Sequence, residues 1–83
     1  MTIRLAPGGP IELLDDCPVE DAETLLQHLL ADAAASIDWS ACDTAHCAVI
    51  QVLLLARRPV VGAPRNPLLR EWVGPILAAR RPD

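Results

Sequence analysis

The chain contains no lysine, no tyrosine and no phenylalanine, and its only aromatic residues are Trp39 and Trp72. Aromatic rings normally supply large buried areas to a small core, so this interior has to be built from aliphatic side chains. Without lysine, Gly8-Gly9 cannot belong to a phosphate-binding loop of the kind that needs an ε-ammonium, and it is flanked by Pro7 and Pro10. The three cysteines, Cys17, Cys42 and Cys47, are odd in number and show no CxxC spacing. That excludes a disulfide-dense scaffold and points to reduced thiols in a cytoplasmic protein. The most apolar run, residues 47–56, is interrupted by Gln51 and falls far short of the roughly 20 residues a bilayer span requires. Residues 1–10 hold no apolar segment of the secretory type. Arginines number seven against eleven acids, a net charge of −4, which gives no support to a generally basic nucleic-acid binder.

What is present is aliphatic. Of 83 residues, 52% are apolar, too many for a disordered chain, and the length accommodates a single domain spanning 1–83. A chain this short buries only about 60% of the surface its unfolded form exposes, and an active site set between two domains is excluded by size. Charge is divided unevenly: residues 1–56 carry −8 and residues 57–83 carry +4. This patterning serves solubility, or else presents an arginine-edged surface to an acidic partner.

Ile3-Arg4-Leu5 alternates like a short strand and Ile11–Leu14 reads as a second, with a turn at Pro7–Pro10 between them. Val19, Ala22, Leu25, Leu26, Leu29, Leu30 and Ala33 recur at helical spacing and predict a first helix over 19–35. Its opening turn carries Glu20, Asp21 and Glu23, where the positive end of the helix dipole favours anions. Asp15 and Asp16 read as turn residues, and Ser36–Trp39 as a short strand. Asp43 is placed to cap a second helix running to Arg58, apolar on nearly every side, with Pro59 as its stop. Such a helix is either buried all round or uses its extra face for a partner, and 83 residues offer little to bury it. Val60-Val61 makes a strand into Gly62, Asn66-Pro67 starts a last helix, and Gly74-Pro75 should kink or interrupt it. Leu68, Leu69, Trp72, Val73, Ile76 and Leu77 form the apolar face of that helix. Strands alternating with helices predict an α/β fold, with Ile37 and Val60-Val61 as parallel neighbours through right-handed crossovers.

Ile37-Asp38-Trp39-Ser40, a loop, the apolar helix from His46-Cys47-Ala48-Val49, the strand at Val60-Val61 and the closing helix from Asn66 resemble the STAS domain. That family is named for sulphate transporters and anti-sigma-factor antagonists, and the resemblance covers about Ile11 to Leu77. It implies a sheet of about four strands packed by about three helices, acting as a non-catalytic docking module. In the antagonist branch a loop-to-helix motif D-[ST]-[SA]-G carries a phosphorylated Ser or Thr. Residue by residue, His46 falls at the aspartate, Cys47 at the phospho-acceptor, Ala48 next and Val49 at the glycine. Cysteine at the acceptor position implies a member that Ser/Thr phosphorylation does not switch. The implied partners are bacterial regulatory proteins: a kinase, an anti-sigma-like protein, or a subunit of a chemotaxis-type signalling or transport complex.

The expected partner surface is the start and exposed side of the second helix: Asp43 as cap, Thr44, His46 and Gln51 for hydrogen bonds, and Cys47 in the first turn, with Arg65 and Arg70 as a charged rim. Anions are well received at such a helix start. Cys47 there is either a reactive thiol or a small buried apolar residue. Cys17, Cys42, His46 and Cys47 have zinc-ligand chemistry but not its paired short spacing, so no metal or other cofactor is expected. Asp15-Asp16 is similar to the acidic pair of response-regulator receivers, which also require a lysine. His46 beside Cys47 is adjacency, not a nucleophile–base geometry, and no enzymatic activity is expected. Two alternatives use the same residues: a thiol or metal sensor built on Cys42, His46 and Cys47, and a structural homodimer formed through the apolar helix.

Overall fold

The computed structural model describes residues 2–5 and 9–79. Four strands and three helices follow one another as β1 (Ile3–Leu5), β2 (Ile11–Cys17), α1 (Glu20–Ala31), β3 (Ile37–Ala45), α2 (Cys47–Ala56), β4 (Val60–Val61) and α3 (Gly74–Ala79), the last preceded by a π-helical segment, Leu69–Val73. The sheet order is β1-β2-β3-β4. β1 and β2 form an antiparallel pair with Ile3 opposite Leu13. β2–β3 and β3–β4 are parallel, with Ile37 opposite both Ile11 and Val60. The fold is therefore α/β with a mixed sheet, and Ile37 and Val60 are parallel neighbours as the alternation of elements requires. Part of the Pro7–Pro10 turn, with Arg80 and Arg81 of the basic tail, lies outside the described residues.

Alternation along the strands sorts the two faces. Ile3, Ile11, Leu13, Ile37, Trp39 and Cys42 point to the helical side and are buried together with Leu25, Leu29, Val49, Leu53, Leu69 and Leu77. The opposite face is polar: Arg4 pairs with Glu12 at 2.7 Å, and Asp38 accepts from the Ser40 hydroxyl at 2.7 Å and its N–H at 2.9 Å. Those two donors hold the Asp38 carboxyl below its ordinary range.

Both central strands run further than their alternation suggests. β3 sets nine residues against the seven of β2, and the register slips between Glu12 and Leu14 and again between Asp15 and Asp16. Each slip is an extra residue that breaks the period of two, so buried positions on β3 step from Trp39 to Cys42. Asp15 and Asp16 thus belong to β2 rather than a turn, with Asp15 in the left-handed region at φ 53°.

The helix limits also differ from the periodicity. α1 stops at Ala31 because Asp32 is extended (φ −135°, ψ 100°) and its carboxylate turns back to accept the Ala34 N–H at 3.0 Å. Asp43 lies within β3, so it does not cap α2. His46 does, its Nδ1 accepting the Ala48 N–H at 3.1 Å while its backbone is extended at ψ 149°. α2 ends at Ala56 because Arg57 turns left-handed at φ 53°. Arg58 leaves that helix altogether and donates to the carbonyls of Leu29 (2.7 Å), Asp32 (2.9 Å) and Ala35 (3.1 Å), completing the C-terminus of α1.

Asn66 starts the last helix as its residue type dictates, its Oδ1 accepting the Leu68 N–H at 2.8 Å. Gly74-Pro75 interrupts the α-helical pattern with a widened turn rather than a kink. Pro75 has no N–H and its ring would collide with the carbonyl four residues back, and the chain responds by closing Gly74 N–H onto Leu69 C=O, a five-residue step. The wide turn brings residues four apart into line, so Leu69 and Leu77 are buried with Val73 between them. Leu68, Trp72 and Ile76, expected on the apolar face, are exposed.

Candidate partner-binding surface

The carboxyl ends of β2 and β3 and the start of α2 meet at one edge of the molecule. His46 N–H donates to Cys17 C=O at 2.9 Å, tying the loop to the end of β2. Thr44 Oγ1 donates to Asp16 Oδ1 at 2.8 Å. Arg65, from the segment after β4, closes the other side. Its Nε pairs with Asp43 Oδ1 at 3.0 Å, its Nη2 with Asp15 Oδ1 at 3.2 Å and Ala41 C=O at 2.8 Å, and its backbone N–H donates to Cys42 C=O at 3.1 Å. Asp15, Asp43 and Arg65 are all substantially solvated, so these ion pairs are weak individually. The backbone bonds are what set the position of the loop.

This edge brings together Asp43, Thr44, His46, Cys47 and Arg65 of the expected surface. Thr44, His46, Cys47 and Gln51 are exposed. Cys47 is the first residue of α2 and Gln51 lies one turn further along the same outward stripe, followed by Leu55, which is 77% exposed. Val49 and Leu53 seal the opposite side. Ile50, Val52 and Leu54 are half-buried between the two. Arg65 is exposed at this edge with its guanidinium paired to Asp43, Asp15 and the Ala41 carbonyl. Arg70 lies apart, donating to the carbonyls of Pro64 (3.3 Å) and Arg65 (3.5 Å) beside a cavity of about 250 Å³ floored by Trp39, Gly62 and Leu77.

The three thiols are separated by burial. Cys17 and Cys42 are buried and Cys47 is exposed. A hydrogen bond shared with Cys42, and burial, raise the Cys17 thiol far above its usual range and keep it protonated. Cys42 donates to Thr44 C=O at 3.3 Å. With Cys42 turned into the core and Cys47 into solvent, the sensor triad of Cys42, His46 and Cys47 does not converge, and among the described residues no three His, Cys, Asp or Glu side chains gather as a metal site. Asp15 and Asp16 also belong to this edge, through Arg65 and Thr44. Their local signature in the sequence is an acidic pair near the end of a strand.

A scan against protein-family models and searches of curated proteins and solved structures found no match. No helix among the described residues is long and apolar enough to cross a membrane.

Proposed function

We propose that the chain is a cytoplasmic, non-catalytic protein-binding module of the STAS type, docking a regulatory partner through the loop before α2 and the outward side of that helix. The observation that supports this reading is the division of α2 itself. Val49 and Leu53 anchor it against the sheet, while Cys47, Gln51 and Leu55 stand in solvent on the other side. An amphipathic surface helix of a small domain normally carries charge on its outer face, and α2 carries none over Cys47–Ala56. The end of β3 and the first two turns of α2 add a hydrogen-bonding rim of Thr44, His46 and Gln51. A partner kinase or anti-sigma-like protein would meet an aliphatic stripe bordered by these groups and by Asp43. With Cys47 at the acceptor position, binding of this kind is constitutive with respect to Ser/Thr phosphorylation.

The test is affinity capture from the native host with the wild-type chain and with Gln51→Arg, followed by calorimetric titration of the purified captured protein. Loss of at least tenfold in affinity for Gln51→Arg is the expected result, since a buried interfacial charge without a partner costs well over 1.4 kcal/mol. Equal affinity for the two chains would refute the surface.

A further inference from the structure

The loop after β4 and the helical segment from Leu69 onward border a cavity of about 250 Å³ against β3. Its walls divide by chemistry. Trp39, Val60, Pro64 and Leu77 supply apolar surface, and among the described residues Arg70 is the single charged group that lines it. No carboxylate faces the space. Asp38, the nearest acid along the chain, lies on the other face of the sheet and is held there by the Ser40 hydroxyl and N–H.

Small residues keep the cavity open. A Cβ on Gly74 would lie 3.8 Å from Trp39 Cζ2, ordinary contact distance, so the missing side chain is what leaves room between the helix and the indole. Ala63 and Ala78 stand at the exposed mouth. The widened turn over Leu69–Val73 carries Arg70 to this position, and such turns recur at functional sites. Arg70 Nη1 donates to the carbonyls of Pro64 and Arg65, at 3.3 and 3.5 Å. Those bonds fix the guanidinium in place and leave its Nε and Nη2 donors without a partner among the described residues. That edge of an arginine offers two parallel N–H groups to the two oxygens of a carboxylate. Because the side chain is already held, little rotamer freedom remains to be lost on binding.

We propose that this cavity is a binding site for a small monocarboxylate with a compact apolar body. Size and charge set the class. An apolar cavity of about 150 Å³ holds benzene, so this one has room for a six-membered ring and its carboxylate. One cation and no further charged donor match a single negative charge, whereas a phosphate or a dicarboxylate would leave oxygens facing apolar walls. The site shares no residue with the docking surface at the start of α2 and stands independently of it.

Benzoate is the probe, titrated into the full chain and followed by ¹⁵N–¹H correlation spectra. The two indole N–H signals report different places: Trp39 floors the cavity, while Trp72 is 69% exposed and does not line it. The Trp39 signal and the amides of Gly62 and Gly74 are expected to move and saturate, with a dissociation constant on the order of 1 mM. Benzamide, the uncharged isostere, and acetate, which has the head without the body, are each expected to bind about fivefold more weakly or worse. Arg70→Met should bring benzoate down to the level of benzamide and leave benzamide itself unchanged. Ala78→Leu, at the exposed mouth, should abolish the binding of both, with circular dichroism confirming that each variant is folded. The benzamide comparison needs no variant and decides the role of charge even where Arg70→Met does not fold. A Trp39 signal that stays fixed at about 10 mM benzoate, shifts confined to other parts of the surface, equal affinity for benzamide, or undiminished binding in the folded variants overturns the proposal.

Discussion

Gly62 is the position at which one added methyl should do most damage. It follows β4 at φ 80°, a region L-residues rarely adopt, and a Cβ built there would sit 2.7 Å from Ser40 Cβ and 3.3 Å from Asp38 Oδ1. Neither neighbour can withdraw easily, because both belong to β3 and their side chains hydrogen-bond to each other. Gly62 C=O also accepts the Trp39 indole N–H at 3.0 Å, the polar end of the largest side chain in the core. In Gly62→Ala the left-handed backbone costs about 1 kcal/mol and the overlap with Ser40 about 1–3 kcal/mol. Displacement of the carbonyl from Trp39 forfeits about 1 kcal/mol more. Part of this relaxes, so a net loss of about 2–4 kcal/mol is expected, against a total stability of roughly 4–12 kcal/mol for a domain of this length. Urea denaturation followed by tryptophan fluorescence and by circular dichroism measures it, and a fall in Tm of roughly 10–25 °C should accompany it. Gly74→Ala is the control. Gly74 is helical at φ −53°, and an added Cβ meets nothing closer than 3.7 Å. There the gain in helix propensity, about 1 kcal/mol, is opposed by the restriction that Pro75 places on the residue before it, and stability should stay within about 1 kcal/mol of wild type. A Gly62→Ala protein as stable as the Gly74→Ala protein would refute the account of β4 and its closure onto Trp39.

Other consequences concern the helix ends, the thiols and acid. His46→Ala should lose about 1 kcal/mol of urea stability with the Ala48 N–H left without its acceptor, and His46→Asp should recover it or exceed wild type, because a carboxylate caps and also complements the helix dipole. Arg58→Met keeps the aliphatic stem but removes all three bonds to the carbonyls of Leu29, Asp32 and Ala35; a loss of about 2 kcal/mol is expected, with faster amide exchange confined to the last turn of α1. In the native protein a colorimetric thiol reagent should titrate Cys47 rapidly, with Cys17 and Cys42 reacting only after denaturant is added. Three rapid thiols would contradict the core. Asp38 has a depressed folded-state carboxyl, so its contribution is present above the unfolded value of about 4 and disappears as pH falls through the folded value. The stability gap between wild type and Asp38→Ala should therefore narrow below pH 4, by a small amount because the group is largely solvated.

The α1 stripe identified the helix but not its end: Ala33 sits at the right spacing, and what stops α1 is the extended turn at Asp32 together with an arginine that follows a different helix. β3 could be read as far as Trp39 because alternation holds there, and it was lost at the extra residue that follows. β3 continues past that residue to Ala45, so Asp43 falls within the strand and His46 caps α2. At the candidate surface, Cys47 is exposed rather than a small buried residue, because its side of α2 faces away from the sheet, whereas the engagement of Arg65 with Asp43 and Asp15 joins residues up to 50 positions apart and has no local signature.

The order of apolar periods, with its proline and glycine breaks, determined by itself that strands and helices alternate and that the middle of the sheet is parallel, because a helix between two strands of one sheet carries the chain back to the end where the first strand began. Which aliphatic side chains are sealed and which remain open was decided only by the packed structure. Leu29 and Leu30 are chemically identical neighbours, one buried and the other 77% exposed, and a helix of 3.6 residues per turn can present only part of a broad stripe to a single sheet. The wide turn before Pro75 is of the same kind: it rotates Trp72 out and Leu77 in, a choice that rests on a missing N–H and on the space beneath Trp39.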